Sequence, residues 1–260
     1  MNIERFINFI ISVQHDFSKV HYDSIDSTNE EAKRLIQKEQ IKNSAILIAD
    51  TQTQGKTTKA NKTWYSPIGN LYMTYVYKVN DLNHLTKISS VVSVAILKTI
   101  QYFSISYDLK TINVKIKWPN DILINDKKLS GILIEIEKFK GETFAIIGTG
   151  INILKTPILN SGRMATSLLD EGFYLSVNKF MKIYTRILKK LLNNLNDKTF
   201  VEIRNTILKH SYKIGENIKI LMQDGKKISG KFVHIDKRGA LILETKEGNM
   251  LQIISGSIID

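Results

Sequence analysis

Apolar positions along the chain recur with two periods, and the changes between them mark the elements. Residues 20–25 read as a short strand. Ser27-Thr28-Asn29-Glu30 then matches a capping box, with Ser27 as N-cap and Glu30 three residues on, and the helix that follows buries Ala32, Leu35 and Ile36. Residues 45–49 are a short apolar strand; 51–63, TQTQGKTTKANKT, carry no apolar period and read as a loop; 71–79 return to strand. Leu85, Ile88, Val91, Val92, Ala95, Ile96 and Ile100 predict a buried amphipathic helix. Strands are predicted over 114–118, 121–124 and 128–137, the last two joined by Asn125-Asp126, and over 144–153, rich in β-branched residues. Phe180, Ile183, Tyr184, Ile187, Leu188, Leu191 and Leu192 place a long helix over 177–195, and a second spans 199–209. Residues 1–17 also carry a helical period, on Ile3, Phe6, Ile7, Ile10 and Ile11.

After His210 the pattern changes. Gly215, Gly225, Gly230, Gly239, Gly248 and Gly256 separate short alternating strands, with no helix among them. This predicts a small SH3-like β barrel over 213–260 behind an α+β domain over 1–212.

Composition changes this picture little. Lys+Arg total 37 against Asp+Glu 25, a net charge of +12, but only six of the 37 are arginine. The lysines are spread along the chain with no basic run longer than two, so a Lys-, Ile- and Asn-rich composition explains the charge without a nucleic-acid partner. No apolar run reaches the roughly 18 to 20 residues of a bilayer span, so no membrane partner is expected. The chain has no cysteine, which removes disulfides and thiolate chemistry and fits a cytoplasmic protein.

Several chemistries are excluded by spacing. A P-loop ending at Gly55-Lys56-Thr57 needs a glycine where Asp50 stands, and a carboxylate there would face the phosphates. Gly148-Thr149-Gly150 follows a strand, but no third glycine comes three residues later. The five histidines (15, 21, 84, 210, 234) lack ligand spacing, and there is no Gly-x-Ser-x-Gly elbow.

Three segments hold polar residues in unusual concentration. Ser27-Thr28-Asn29, at a helix N-terminus, can cap the helix or hold a small polar ligand. The loop from Gln52 to Trp64, with Lys56, Lys59 and Lys62, is either a solvated loop or a wrap for an anion, with Trp64 as a flat face for a base. In Lys117-Trp118-Pro119-Asn120-Asp121-Ile122, continuing to Lys128 and Gly131, an amide, a carboxylate and lysines gather at strand ends. Asn120 and Asp121 can offer oxygens to Mg²⁺, and Lys117 and Lys128 can neutralise phosphate.

This last block, Lys-Trp-Pro-Asn-Asp-Ile, followed by Lys128 and Gly131-Ile-Leu, resembles the central signature of biotin protein ligases (biotin–[acetyl-CoA-carboxylase] ligases). The order of the other segments is similar too: Asp26-Ser-Thr-Asn29, Gln52-Thr-x-Gly55, Trp64-x-Ser-Pro-x-Gly-Asn-Leu-Tyr72, Gly148-x-Gly-Ile-Asn152 and Ala165-Thr-Ser-Leu168. The resemblance covers about residues 20–260. It implies a mixed-sheet catalytic domain with a small C-terminal β domain, in the short form without an N-terminal DNA-binding domain, and two half-reactions in one site. Biotin and ATP give biotinyl-5′-AMP with Mg²⁺, and a lysine of a biotin carboxyl carrier protein then takes the biotinyl group. A homodimer is compatible with the resemblance.

The resemblance assigns Ser27, Thr28, Asn29, Gln52, Gly55, Lys56, Lys128 and Gly131 to biotin. It assigns Lys56, Thr57, Thr58, Lys59, Trp64, Lys117, Asn120 and Asn152 to the nucleotide. Lys128, Asp121 and Lys117 would be catalytic, with Asp121 receiving the proton of the incoming lysine, and Asn120 and Asp121 would hold Mg²⁺. One departure stands out. The family's loop reads Gly-Arg-Gly-Arg-x-Gly-Arg-x-Trp; here residues 55–64 are one longer, with one glycine and no arginine. Lysine is a point charge where arginine is a planar fork, so looser retention of biotinyl-AMP is expected. Lipoate–protein ligase or lipoyl/octanoyl transfer, on a related fold, is the second reading, and a basic nucleic-acid-binding module the third.

Overall fold

The computed structural model describes residues 18–58, 63–109, 112–157 and 164–259. The helix expected over 1–17 lies outside them, as does Lys59. The core is a seven-stranded mixed sheet of order β1-β2-β3-β7-β6-β5-β4. Its strands are β1 (Ser18–Ile25), β2 (Ser44–Gln52), β3 (Leu71–Lys78), β4 (Val114–Lys117), β5 (Asp121–Ile124), β6 (Lys127–Phe139) and β7 (Glu142–Ile151). Only β1 and β2 run parallel; every other neighbour is antiparallel.

Period-2 alternation sends successive side chains to opposite faces of this sheet. On β2, Ala45 and Leu47 meet Ala32 and Ile36 of α1 (Thr28–Gln37), while Ile46 and Ile48 join the opposite core. That larger core is covered by α2 (Ile88–Ser106), α3 (Val177–Asn193) and α4 (Asp197–His210). The segment Leu82–Ser106, a 3-10 turn followed by α2, has the length and hydropathy of a membrane-crossing helix, which the run-length reading of the sequence did not register; two-thirds of its most apolar 18-residue stretch is buried inside the protein, as in a core helix.

Local details correct the sequence reading at two helix starts. Ser27 is the N-cap of α1, with extended φ −156° and ψ 132°, but its side chain makes no capping bond. Glu30 accepts from Lys33 and Lys56 instead of closing a capping box. The capping box is at α4, where Asn196 Oδ1 accepts from the Thr199 amide and Thr199 Oγ1 accepts from the Asn196 amide. It starts that helix two residues earlier than its apolar period shows. Asn125 and Asp126, at φ 49° and 62°, make the two-residue β5–β6 turn as expected, because both side chains tolerate the left-handed region.

Residues 213–259 form a second, antiparallel sheet of order β11-β10-β9-β8-β12 from β8 (Asn217–Leu221), β9 (Lys227–Ile235), β10 (Leu241–Glu244), β11 (Met250–Ile253) and β12 (Ser257–Ile259). No helix stands among these five strands, as the glycine-separated pattern predicts. Ile218, Ile220, Phe232, Leu241 and Leu243 belong to the same buried cluster as α2 and α3, so the hydrophobic core does not break at Tyr212. The Tyr212 amide donates to Ile116 O at 2.9 Å, and Trp118 Nε1 donates to Gly239 O at 3.2 Å. Both contacts hold the second sheet against the strand ends where the polar residues gather.

Candidate active site

On the α1 face of the sheet, Gly131 of β6 stands directly opposite Gly150 of β7. Ile132, Ile147 and Ile151 point the other way into the core. The absence of side chains at 131 and 150 leaves a flat backbone floor, and the Trp64 indole lies on it. A Cβ on Gly150 would be 2.5 Å from Trp64 Cε2, and one on Gly131 2.7 Å from Cζ3. Trp64 Nε1 is buried without a hydrogen-bond partner. The polar loop is pinned at its base, where the Trp64 amide donates to Gly55 O at 2.7 Å. A side chain on Gly55 would run into the Trp64 carbonyl, which explains a glycine there.

The floor is part of a cleft of about 960 Å³. At one end sit Ser27, Thr28 and Asn29, all at most 4 % exposed. The Thr28 amide and hydroxyl are 2.9 and 3.1 Å from Gln52 Oε1. Behind them, fully buried Thr74 has its Oγ1 2.8 Å from Thr28 Oγ1 and 2.6 Å from Asn29 Oδ1. Asn29 Nδ2 donates to Glu135 Oε2 at 2.8 Å, and Lys33 Nζ donates to Glu135 Oε1 at 2.6 Å. Lys56 reaches back from the loop to Glu30 and, at 3.4 Å, to Glu135.

These pairings keep the acids charged. Burial pushes the Glu135 carboxyl up, but bonds from Lys33 and Asn29 outweigh it and the net shift is downward. The Lys56 bond likewise holds Glu30 below the ordinary glutamate range. Asp26, gripped by Arg34 Nη1 and Nη2 at 2.8 and 2.7 Å, is pulled down to about 2.

At the other end, Lys128 Nζ donates to Asp121 Oδ1 at 2.6 Å and stands 5.3 Å over the Trp64 ring. The Lys128 backbone is clamped by Met164 and Thr166, each bond 3.0 Å, in an isolated bridge to Ala165. This seats the Ala165-Thr166-Ser167 segment beside the cleft. Asn152 Nδ2 donates to Thr166 O, and Asn120 Nδ2 to Ile132 O. Lys117 is buried at the edge, its ammonium 5.0 Å over the Tyr212 ring.

All the described residues assigned to biotin, nucleotide, Mg²⁺ or catalysis line this cleft except Gly55, which holds the loop base. Among its described lining residues are Lys56, Lys117, Lys128 and Lys155 against a single acid, Asp121. That excess makes a positive, partly enclosed site suited to an anion. No group of three His, Cys, Asp or Glu side chains converges among the described residues, so a divalent cation would depend on oxygens of its ligand. Sequence reasoning missed Thr74, Glu135, Lys155 and the Ser257–Ile258 edge of the second sheet. Glu135 was within reach, since it lies two pleats along β6 from Gly131 on the same face. A threonine inside the apolar run LYMTYVYK was the signal for Thr74; nothing local marks Ser257.

The chain was then compared with known proteins. A family model described as "Biotin/lipoate A/B protein ligase family" matches residues 22–152, and one described as "Biotin protein ligase C terminal domain" matches 213–259. The chain is 29 % identical over 226 residues to the bifunctional ligase/repressor BirA of Escherichia coli, covering 85 % of this chain and 67 % of that protein. It is 27 % identical over 238 residues to the biotin–[acetyl-CoA-carboxylase] ligase of Paracoccus denitrificans, covering 87 % and 94 %. Among solved structures it is similar to the biotin protein ligase of Aquifex aeolicus in complex with biotin and ATP. The TM-score is 0.70 and the identity 26 %, over 93 % of this chain and 97 % of that one.

Proposed function

Because the chain belongs to the biotin/lipoate A/B protein ligase family, we propose that its cleft joins biotin to ATP, forming biotinyl-5′-AMP, and passes the biotinyl group to a lysine of a biotin carboxyl carrier protein. The observation that carries this reading is one continuous cleft. A buried hydrogen-bonding pocket at Thr28 and Gln52 lies at one end, and a lysine–carboxylate pair, Lys128 and Asp121, at the other.

The biotin head group enters beside Ser27, Thr28 and Gln52, whose polar atoms are already oriented by the sheet and by the start of α1. Its carboxylate is drawn toward Lys128. Attack of that carboxylate on the α-phosphate brings two anions together, and Lys128 and Lys117 lower the cost by meeting the charge in a partly dry site. Asn120 and Asp121 are the residues that would hold Mg²⁺, which when bound would supply charge neutralisation for the phosphates. In the second half-reaction the acceptor amine, with an ordinary pKa of about 10.4, must lose a proton before it attacks. Asp121 is the carboxylate among the described lining residues, and it takes that proton; the amine attacks the acyl carbon of biotinyl-5′-AMP, the acyl C–O bond to phosphate breaks, and AMP leaves with its charge met by Lys128. We read the reaction as cytoplasmic, in keeping with a chain that carries no cysteine.

The test is biotin-dependent exchange of labelled pyrophosphate into ATP. Wild-type protein catalyses it, lipoate does not replace biotin, and Lys128→Ala loses about 10²- to 10³-fold. Wild-type exchange no greater than that of Lys128→Ala overturns the reading.

A further inference from the structure

We propose that Glu171 is a positioning residue for the nucleotide end of the cleft: its side chain clasps Thr166 to the β5–β6 turn and thereby holds Lys128 and Asn152 in place. The proposal rests on the reading of the cleft as a site for biotin and ATP, and it concerns a residue that stands outside the cleft lining.

Thr166 is the node between the two site residues. Its amide donates to Lys128 O at 3.0 Å, and its carbonyl accepts from Asn152 Nδ2 at 2.9 Å. The bridge that seats this segment on Lys128 is isolated, so no continuing ladder keeps it closed. The Thr166 side chain supplies the further hold. Thr166 is 2 % exposed, and its hydroxyl donates to Glu171 Oε1 at 2.6 Å. Ser167 O, the other acceptor among the described residues, is 3.5 Å away, too far to take over. The second oxygen, Glu171 Oε2, accepts from Asn125 Nδ2 at 2.6 Å. Asn125 lies in the turn between β5, which carries Asp121, and β6, which carries Lys128. The Glu171 side chain is only 8 % exposed, with Lys127 Nζ 3.8 Å from it. Its backbone is fixed independently: the Glu171 amide donates to Ser167 O at 3.2 Å, and Leu168 and Phe173 on either side are fully buried. Glu171 is therefore a fixed post, bonded on one side to the turn and on the other to the clamp on Lys128.

Hydrogen bonds to a carboxylate are among the stronger ones, and a buried hydroxyl stripped of its acceptor is costly. Without Glu171 the relief is for Thr166 to turn toward water, which opens its bonds to Lys128 and Asn152. A site that is assembled only part of the time binds its ligand more weakly in proportion to that fraction. Saturating ligand draws the segment back, so the loss falls on the KM for ATP more than on kcat. The pocket of Thr28 and Gln52 at the far end is bonded within itself and does not share the loss.

The test is the ATP dependence of pyrophosphate exchange at saturating biotin, with titration calorimetry for biotin alone. Glu171→Ala raises the KM for ATP about tenfold, with kcat within about threefold and biotin affinity within about twofold of wild type. Thr166→Val, which removes the hydroxyl and keeps the shape, raises it likewise. The double variant Glu171→Ala/Thr166→Val is no worse than the worse single, because both open the same clasp. Glu171→Gln keeps the wild-type KM, since the new amide oxygen accepts the Thr166 hydroxyl and the exposed Asn125 amide turns over to offer its own oxygen. A role in folding alone would lower the melting temperature and the yield of active protein and leave the KM for ATP where it was. A folded Glu171→Ala protein with the wild-type KM for ATP overturns the clasp, and Thr166→Val decides in the same way should Glu171→Ala not fold. Wild-type protein without biotin-dependent exchange overturns the reading of the cleft and the clasp with it, whereas active wild type with unchanged variants overturns the clasp alone.

Discussion

Replacing Gly150 with alanine tests whether the Trp64 indole rests on the glycine floor. The added Cβ would stand 2.5 Å from Cε2, 2.6 Å from Cζ2 and 2.7 Å from Nε1 of the ring. Carbon contacts settle at about 3.5–4.0 Å, so the indole must retreat by roughly 1 Å. Sideways escape does not help, because the ring also covers Gly131, the register partner of Gly150. A gap of about 1 Å forfeits up to half of each contact of about 0.1–0.2 kcal/mol. Over a nine-atom ring, and with the usual cost of overpacking, this comes to about 1–2 kcal/mol of lost stability. The sign is itself informative. A glycine-to-alanine change at an unhindered position stabilises by about 0.4–1 kcal/mol through the unfolded chain. Urea denaturation gives the free energy, and the Trp64 emission, obtained by difference from a Trp64→Phe protein, reports the displaced ring. The double variant Gly131→Ala/Gly150→Ala costs less than the two singles together, since the ring is lifted only once. A Gly150→Ala protein with wild-type stability and unchanged Trp64 emission refutes the stacked arrangement.

Two further predictions follow from the charges around the loop and α1. Asp26 is pulled from 3.8 to about 2 in the folded protein, so its pairing with Arg34 stabilises the fold above the unfolded value and is lost as pH falls through that window. Both side chains are more than a third exposed, so screening reduces the contribution to about 0.5–1 kcal/mol, and Arg34→Met removes that difference when melting is followed from pH 6 to about pH 2; identical pH profiles for the two proteins refute it. In the loop, the double change Lys56→Arg/Lys59→Arg restores planar, bidentate donors and slows release of biotinyl-AMP by about tenfold in a filter-binding assay. Equal release rates from the two proteins sink the idea that the lysine loop holds its intermediate loosely.

Most of the elements were legible in the sequence because each is driven by its own periodicity. The strands at 45–49, 71–79 and 144–153 are β-branched or apolar runs, and the helix on Phe180, Tyr184 and Leu188 has a single wet face. The errors sit where a side chain had two partners to choose from. Glu30 matches a capping box in one dimension, but Lys56, 26 residues on, is a charged partner and the Ser27 amide is not. The capping box at Asn196 went unnoticed because its N3 residue is a threonine and not Glu or Gln.

By itself the sequence determined most of the residues that gather at the cleft: the polar loop, the Lys-Trp-Pro-Asn-Asp block and Gly131 are each marked by local pattern. What only the tertiary structure decided is how their protons and charges are shared. Gly131 and Gly150 become one floor through β6–β7 register, Lys128 meets Asp121 across a β-hairpin, and Glu135 reaches Asn29 from 106 residues away. The physical reason is that a hydrogen bond fixes direction as well as distance. Thr28 meets Gln52 from 24 residues away and Thr74 from 46, through the placement of α1 on the sheet, and no spacing along the chain encodes that.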